Sequence, residues 1–118
     1  MKEENLRERT KKFSLSIIRI FTALPSTGEA QVIGKQMLRS ATSVGAHYRE
    51  GFRSRSKNEF IAKLEDGLQE LEETGYWLEL LRDAKIVSSD QITPLCQEVD
   101  ELISIFVTIV KKTKASTS

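Results

Sequence analysis

Apolar residues recur at steps of three and four along four stretches of this chain, and three short breaks separate them. That spacing lines one face of an α-helix, whereas a half-buried strand alternates. Leu6, Phe13, Ile17, Ile20 and Leu24 share the first face, widened by Ile18 and Phe21. Ala30, Ile33, Met37, Ala41, Val44 and Tyr48 form the second. The third runs through Phe60, Leu64, Leu68, Leu71, Gly75, Leu78 and Leu81, flanked by Ile61, Trp77 and Leu80. The fourth holds Ile92, Leu95, Val99, Leu102, Ile103, Phe106 and Val110. Helices with one apolar stripe bury it against each other, and short breaks make consecutive helices antiparallel neighbours. The pattern predicts an all-α chain, a single antiparallel up-down-up-down four-helix bundle over 1–118. Its helices span approximately 5–24, 29–51, 57–84 and 89–113, in a bundle about 30–40 Å long. A chain of 118 residues suits one domain and buries roughly two-thirds of its unfolded surface.

Local chemistry supports these bounds. Ser26 with Glu29, Ser56 with Glu59 and Ser88 with Gln91 all have capping-box spacing, and Val87 with Ile92 fits a hydrophobic staple. Pro94 interrupts this order, because it lacks the N–H that a second helical turn needs. Either the last helix kinks there, or it restarts with Thr93 as N-cap. The run Leu102 to Val110, LISIFVTIV, is rich in β-branched residues and has strand propensity. Acids before it and lysines after it complement a helix dipole, so helix is preferred. Gly67 and Gly75 each weaken a helix by about 1 kcal/mol relative to Ala. They mark either close helix approach, available also at Gly45 and Ala46, or simple tolerance.

Composition restricts the chemistry. One Cys cannot form an internal disulfide, and a single His leaves no material for a zinc site or a nucleophilic triad. His47 and Glu50 are i, i+3 neighbours with no nucleophile beside them, and Cys96 lies near an apolar face. No phosphate loop, metal motif or nucleophile elbow occurs. The chain is therefore read as no enzyme and as needing no cofactor. Its N-terminus mixes acids with bases, unlike a signal peptide. The nine residues of LISIFVTIV fall short of the roughly 20 that span a bilayer. A cytoplasmic protein without membrane contact is the expectation.

The net charge of +1 hides a segregation. Residues 1–24 and 25–56 each carry +3, residues 57–84 carry −5, and the remainder is neutral. The densest basic cluster is Arg49, Arg53, Arg55 and Lys57, at the tip joining helices two and three, with Arg39 further back. Guanidinium forks beside a helix start suit phosphate, which points to RNA or DNA backbone. The competing reading is a solvated tip that pairs with acids on helix three or on another subunit. Asp66, Glu70 and Glu73 form an acidic ridge that is too poor in histidine for a diiron site. Tyr76 and Trp77 read as a core or interface anchor, since nucleic-acid platforms interleave aromatics with bases more densely.

The block from Arg39 to Leu81 resembles the 23S rRNA intervening-sequence proteins. Matching positions are Arg39, Ala41, Ser43, Val44, Glu50, Ser56, Lys57, Phe60, Leu64, Glu73, Thr74, Tyr76, Trp77 and Leu78. Leu24-Pro25 and a Ser-initiated fourth helix agree more weakly, and His47 stands where that family commonly carries Asn. The resemblance implies a four-helix bundle, a homopentamer around a central channel, and no known enzymatic activity. A similar bundle serves diversity-generating retroelements as a basic accessory factor to a reverse transcriptase. Partners implied are thus other copies of the chain, RNA or DNA, and a nucleic-acid enzyme. A protein–protein adaptor held together by its oppositely charged helices is the alternative.

Overall fold

The computed structural model describes residues 2–116, with side chains from Leu6 onward. Four helices follow in order: α1 (Lys2–Thr22), α2 (Gly28–Phe52), α3 (Lys57–Asp83) and α4 (Ser89–Ala115). No strand occurs among the described residues, and LISIFVTIV is helical throughout. Contacts between consecutive helices run in opposite directions along each pair. Ser14 reaches the Ala41 carbonyl while Thr10 meets Gly45; Ser40 meets Thr74 while Gly51 meets Leu64. On the far side Gly75 faces Val99 and Gly67 faces Phe106. This is the up-down-up-down order, in a body of 51 × 21 × 20 Å.

The core forms from one stripe of each helix. Leu6, Phe13 and Ile17 of α1 belong to one buried cluster with Met37, Val44 and Tyr48 of α2 and Leu102 and Phe106 of α4. In α3 the buried seam is Ile61, Leu64, Gly67, Leu71, Thr74, Leu78 and Leu81. From Leu64 it follows alternating steps of three and four, the seam of a left-handed bundle. It therefore passes through Gly67 and Thr74, where the hydrophobic pattern favours Leu68 and Gly75. Two tertiary contacts explain this. The Phe106 ring occupies the space a side chain at position 67 would need, at 2.8 Å from a Cβ placed there. The Thr74 hydroxyl donates to the Glu70 carbonyl at 2.7 Å and pairs with Ser40 Oγ at 2.7 Å, so it is buried but satisfied. At Gly75 a Cβ would meet Val99 at an ordinary 3.5 Å. Close approach thus governs Gly67, while Gly75 is tolerated.

The caps differ from their sequence signatures in detail. Ser56 is the N-cap of α3 and accepts from the Glu59 N–H at 3.1 Å. The Glu59 carboxylate reaches back one residue further than a capping box, to the Arg55 N–H at 2.9 Å. At α2 the N-cap is Thr27 rather than Ser26, with no side-chain cap bond. Ser88 caps α4 by position only, its hydroxyl lying 3.4 Å from Gln91 Oε1. Helix α4 starts at Ser89 and continues through Pro94 with no restart at Thr93. The carbonyl of Asp90 is the one that loses its donor, and both residues lie on the exposed side where water replaces it. Helix α3 ends in a Schellman motif, with Ile86 N–H on the Leu81 carbonyl (2.9 Å) and Lys85 N–H on the Arg82 carbonyl (3.0 Å). Lys85 supplies the left-handed residue, at φ 62°.

Candidate nucleic-acid interface

The five basic residues singled out by sequence do not form one site. Arg39 is spent on α3: its Nη1 lies 3.3 Å from Glu70 Oε1, and Nη2 is paired with Glu73 Oε2. Glu73 also accepts from Trp77 Nε1 at 2.9 Å. The Arg39 guanidinium, and then the indole, hold the Glu73 carboxyl below the usual carboxylate range. Lys57 donates to the Ser116 carbonyl at 2.7 Å, tying the start of α3 to the end of α4. Arg49, Arg53 and Arg55 remain, and their side chains have no hydrogen bond or ion pair among the described residues.

Two of these face a groove between α1 and α2. Arg49 borders a cavity of about 360 Å³ whose other lining is Thr10, Lys11, Ser14, Thr42, Gly45 and Ala46. Immediately beyond, Arg49 also borders a second cavity of about 250 Å³ with Arg7, Glu50 and Arg53. Helix geometry makes this arrangement. Arg7 and Lys11 are one turn apart on α1, Arg49 and Arg53 one turn apart on α2, and the antiparallel pairing brings the two lips together. Gly45 lets the two helices approach closely and close the floor; a Cβ there would be 3.1 Å from Thr10 Oγ1. Thr10 and Thr42 hydroxyls donate to the Leu6 and Leu38 carbonyls, both at 2.7 Å. Glu50, the one acid in the groove lining, is neutralised from the other side by Lys63 Nζ at 2.9 Å. That ammonium holds the Glu50 carboxyl below its ordinary range.

Arg7 and Lys11 were outside the sequence-derived set. Their i, i+4 spacing is visible in the N-terminal MKEENLRERTKK, but only the α1–α2 register shows that they oppose Arg49 and Arg53. The acidic ridge divides too: Glu70 and Glu73 bind Arg39, while Asp66 is exposed. No cluster of metal-ligating side chains occurs among the described residues. His47 lies between two helices, Nδ1 3.5 Å from Glu50 Oε1 and Nε2 3.9 Å from Glu70 Oε2. Neither distance makes a good hydrogen bond, and Nδ1 is buried without one. Cys96 is half-buried, and burial pushes its thiol above the ordinary range, which makes it a poor nucleophile at neutral pH. Tyr76 is exposed beside Trp77, their ring centroids 5.2 Å apart. No helix among the described residues is long and apolar enough to cross a membrane.

A family model described as 23S rRNA-intervening sequence protein matches residues 2–108. Among solved structures, the chain is similar to a protein of unknown function from the S23 ribosomal protein family of Bacteroides thetaiotaomicron VPI-5482. The two share 32% identity at a TM-score of 0.88, over 94% of this chain and 99% of that one. No curated protein matches.

Proposed function

This chain belongs to the 23S rRNA-intervening sequence protein family, and from that premise we propose that it is a non-enzymatic cytoplasmic bundle that binds RNA or DNA backbone. It acts in this reading as an accessory or scaffold factor, assembled as a homo-oligomer and serving a nucleic-acid enzyme. Resemblance to the family sets the expected number of copies at five. The single observation that carries the reading is that Arg49, Arg53 and Arg55 have no side-chain partner among the described residues at one end of the bundle, in a chain that pairs Arg9 and Arg39 thoroughly. A fork already neutralised by carboxylates offers phosphate little net charge, whereas an open one offers its full charge.

Size-exclusion chromatography with light scattering, reading the 260/280 ratio of the peak, tests assembly and cargo together. Five copies of the 13.4 kDa chain give about 67 kDa. The wild-type protein should retain nucleic acid at low salt and shed it steeply as salt rises. The triple variant Arg49→Ala, Arg53→Ala, Arg55→Ala should lose cargo at unchanged mass. Clean protein that binds neither RNA nor DNA rejects the reading. A triple variant that loses mass instead supports the protein–protein adaptor.

A further inference from the structure

We infer that the α1–α2 groove takes one nucleic-acid strand lengthwise, its phosphates held between Arg7 and Lys11 on one lip and Arg49 and Arg53 on the other. This rests on the backbone-binding reading and goes beyond it by naming a site, two residues on α1 and the strandedness of the ligand. Four observations support it. The two cavities share Arg49 and so lie side by side along the α1–α2 groove. Along α2 the two together extend from Thr42 to Arg53, about 16 Å at 1.5 Å per residue. All four cations lack side-chain partners among the described residues, and each lip spaces its pair by one helical turn.

The fourth observation is the floor, where Gly45 and Ala46 carry little or no side chain and the Ser14 and Thr42 hydroxyls are half-buried. Small residues leave room for a sugar–phosphate chain between the basic lips, and hydroxyl oxygens suit its polar surface. A duplex is comparable in width to the whole bundle, 21 × 20 Å in section, and would rest on the lips without entering. No aromatic side chain lines either cavity. Bases therefore find no stacking platform, and binding should ignore sequence.

Anisotropy of a labelled uridine hexanucleotide, with the full-length protein in excess, is the test. Four phosphate contacts on a single strand predict a salt slope near −0.7 per contact. Affinity should then fall about 50-fold between 50 and 200 mM salt. In Arg7→Gln, Lys11→Gln that fall should shrink to about sevenfold, because two contacts remain. An adenine hexanucleotide should bind within about twofold of the uridine one, since phosphate contacts carry no sequence information. Both substituted residues are exposed, and circular dichroism should show an unchanged helical fold. A second variant, Ala46→Glu, puts a carboxylate on the groove floor without removing a cation, and should abolish hexamer binding. If the α1-lip variant and Ala46→Glu both bind as wild type does while Arg49→Ala, Arg53→Ala fails, the groove is refuted and the backbone reading stands. A six-base-pair duplex that outcompetes the single strand also refutes it. Wild-type protein that binds no strand at 50 mM salt overturns both.

Discussion

Placing a methyl group at Gly67 and another at Gly75 separates helix propensity from packing within one helix. Both positions lie well inside α3, so Gly→Ala favours the helix at each by about 1 kcal/mol. At Gly75 the new Cβ meets Val99 Cγ1 at 3.5 Å, ordinary contact, and the propensity gain should appear nearly whole. At Gly67 it meets Phe106 Cε2 at 2.8 Å and Cδ2 at 3.4 Å. The ring must retreat by more than half an ångström, but Phe106 is fully buried and its ring centroid lies 5.9 Å from that of Tyr48. Overpacking of this kind costs about 1–3 kcal/mol. Gly67→Ala should therefore be destabilised by about 1 kcal/mol net, and Gly75→Ala stabilised by about the same. For 118 residues, an unfolding entropy of about 2.1 cal/mol/K per residue converts 1 kcal/mol to about 4 °C. The two variants should thus melt about 8 °C apart by circular dichroism, with the wild type between them. Because propensity is common to both, the gap measures packing alone. A Gly67→Ala protein that melts at or above Gly75→Ala would refute the claim that the α3 seam runs through Gly67.

Three further experiments address other parts of the fold. Lys85→Gly should raise the melting temperature by about 4 °C, because a left-handed residue with a Cβ costs about 1 kcal/mol that glycine avoids; no change would mean that φ 62° is not held in solution. Ser40→Ala with Thr74→Val should cost about 1 kcal/mol less together than the two singles summed in urea denaturation, since the pair shares one hydroxyl contact at 2.7 Å; strict additivity would deny the contact. Glu73→Gln probes pH. Its carboxyl is depressed by Arg39 first and Trp77 second, so its contribution is whole above the ordinary carboxylate value of about 4.3 and is lost as pH falls through the lower folded-state value. Wild type should exceed Glu73→Gln in stability at pH 7 and converge with it in acid; a gap that persists to pH 2 would contradict the pairing.

Periodicity alone was enough to read helix number, order and the three breaks, because those depend on local spacing. It misplaced the α3 seam where burial depends on a partner from another helix. Leu68 is more apolar than Gly67, yet the steric demand of Phe106 decides position 67, and the hydroxyl of Ser40 decides position 74. Ser56 was legible as a cap because its oxygen meets the Glu59 N–H three residues on. Ser26 was not, because Thr27 takes the extended backbone that an N-cap requires. The basic cluster was visible as composition, but its division into paired and open members was not. Arg39 finds Glu70 and Glu73 more than 30 residues away, and no local rule forecasts that distance.

Folding distributes a nearly neutral charge unevenly, and the distribution follows from which helices touch. Arg9 forks onto Glu98 at 2.7 and 2.9 Å and also pairs with Glu101, joining α1 to α4. Arg39 joins α2 to α3 through two more acids. Lys63 takes Glu50, and Lys114 takes Glu65 at 3.2 Å. Each such bridge spans two helices, and all but Lys63–Glu50 use acids of α3 or α4, which carry them in excess or in balance. No comparable supply exists along the α1–α2 seam, because both helices that border it are net basic. Cations there face cations, and a helix pair packed through Gly45 and Thr10 keeps them close. Like charges held across a groove repel one another, and only a polyanion or dissolved counterions can offset that. The open end of the bundle is therefore a consequence of pairing elsewhere: the same contacts that neutralise the acids of α3 and α4 leave Arg7, Lys11, Arg49 and Arg53 with nothing in the described fold to bind.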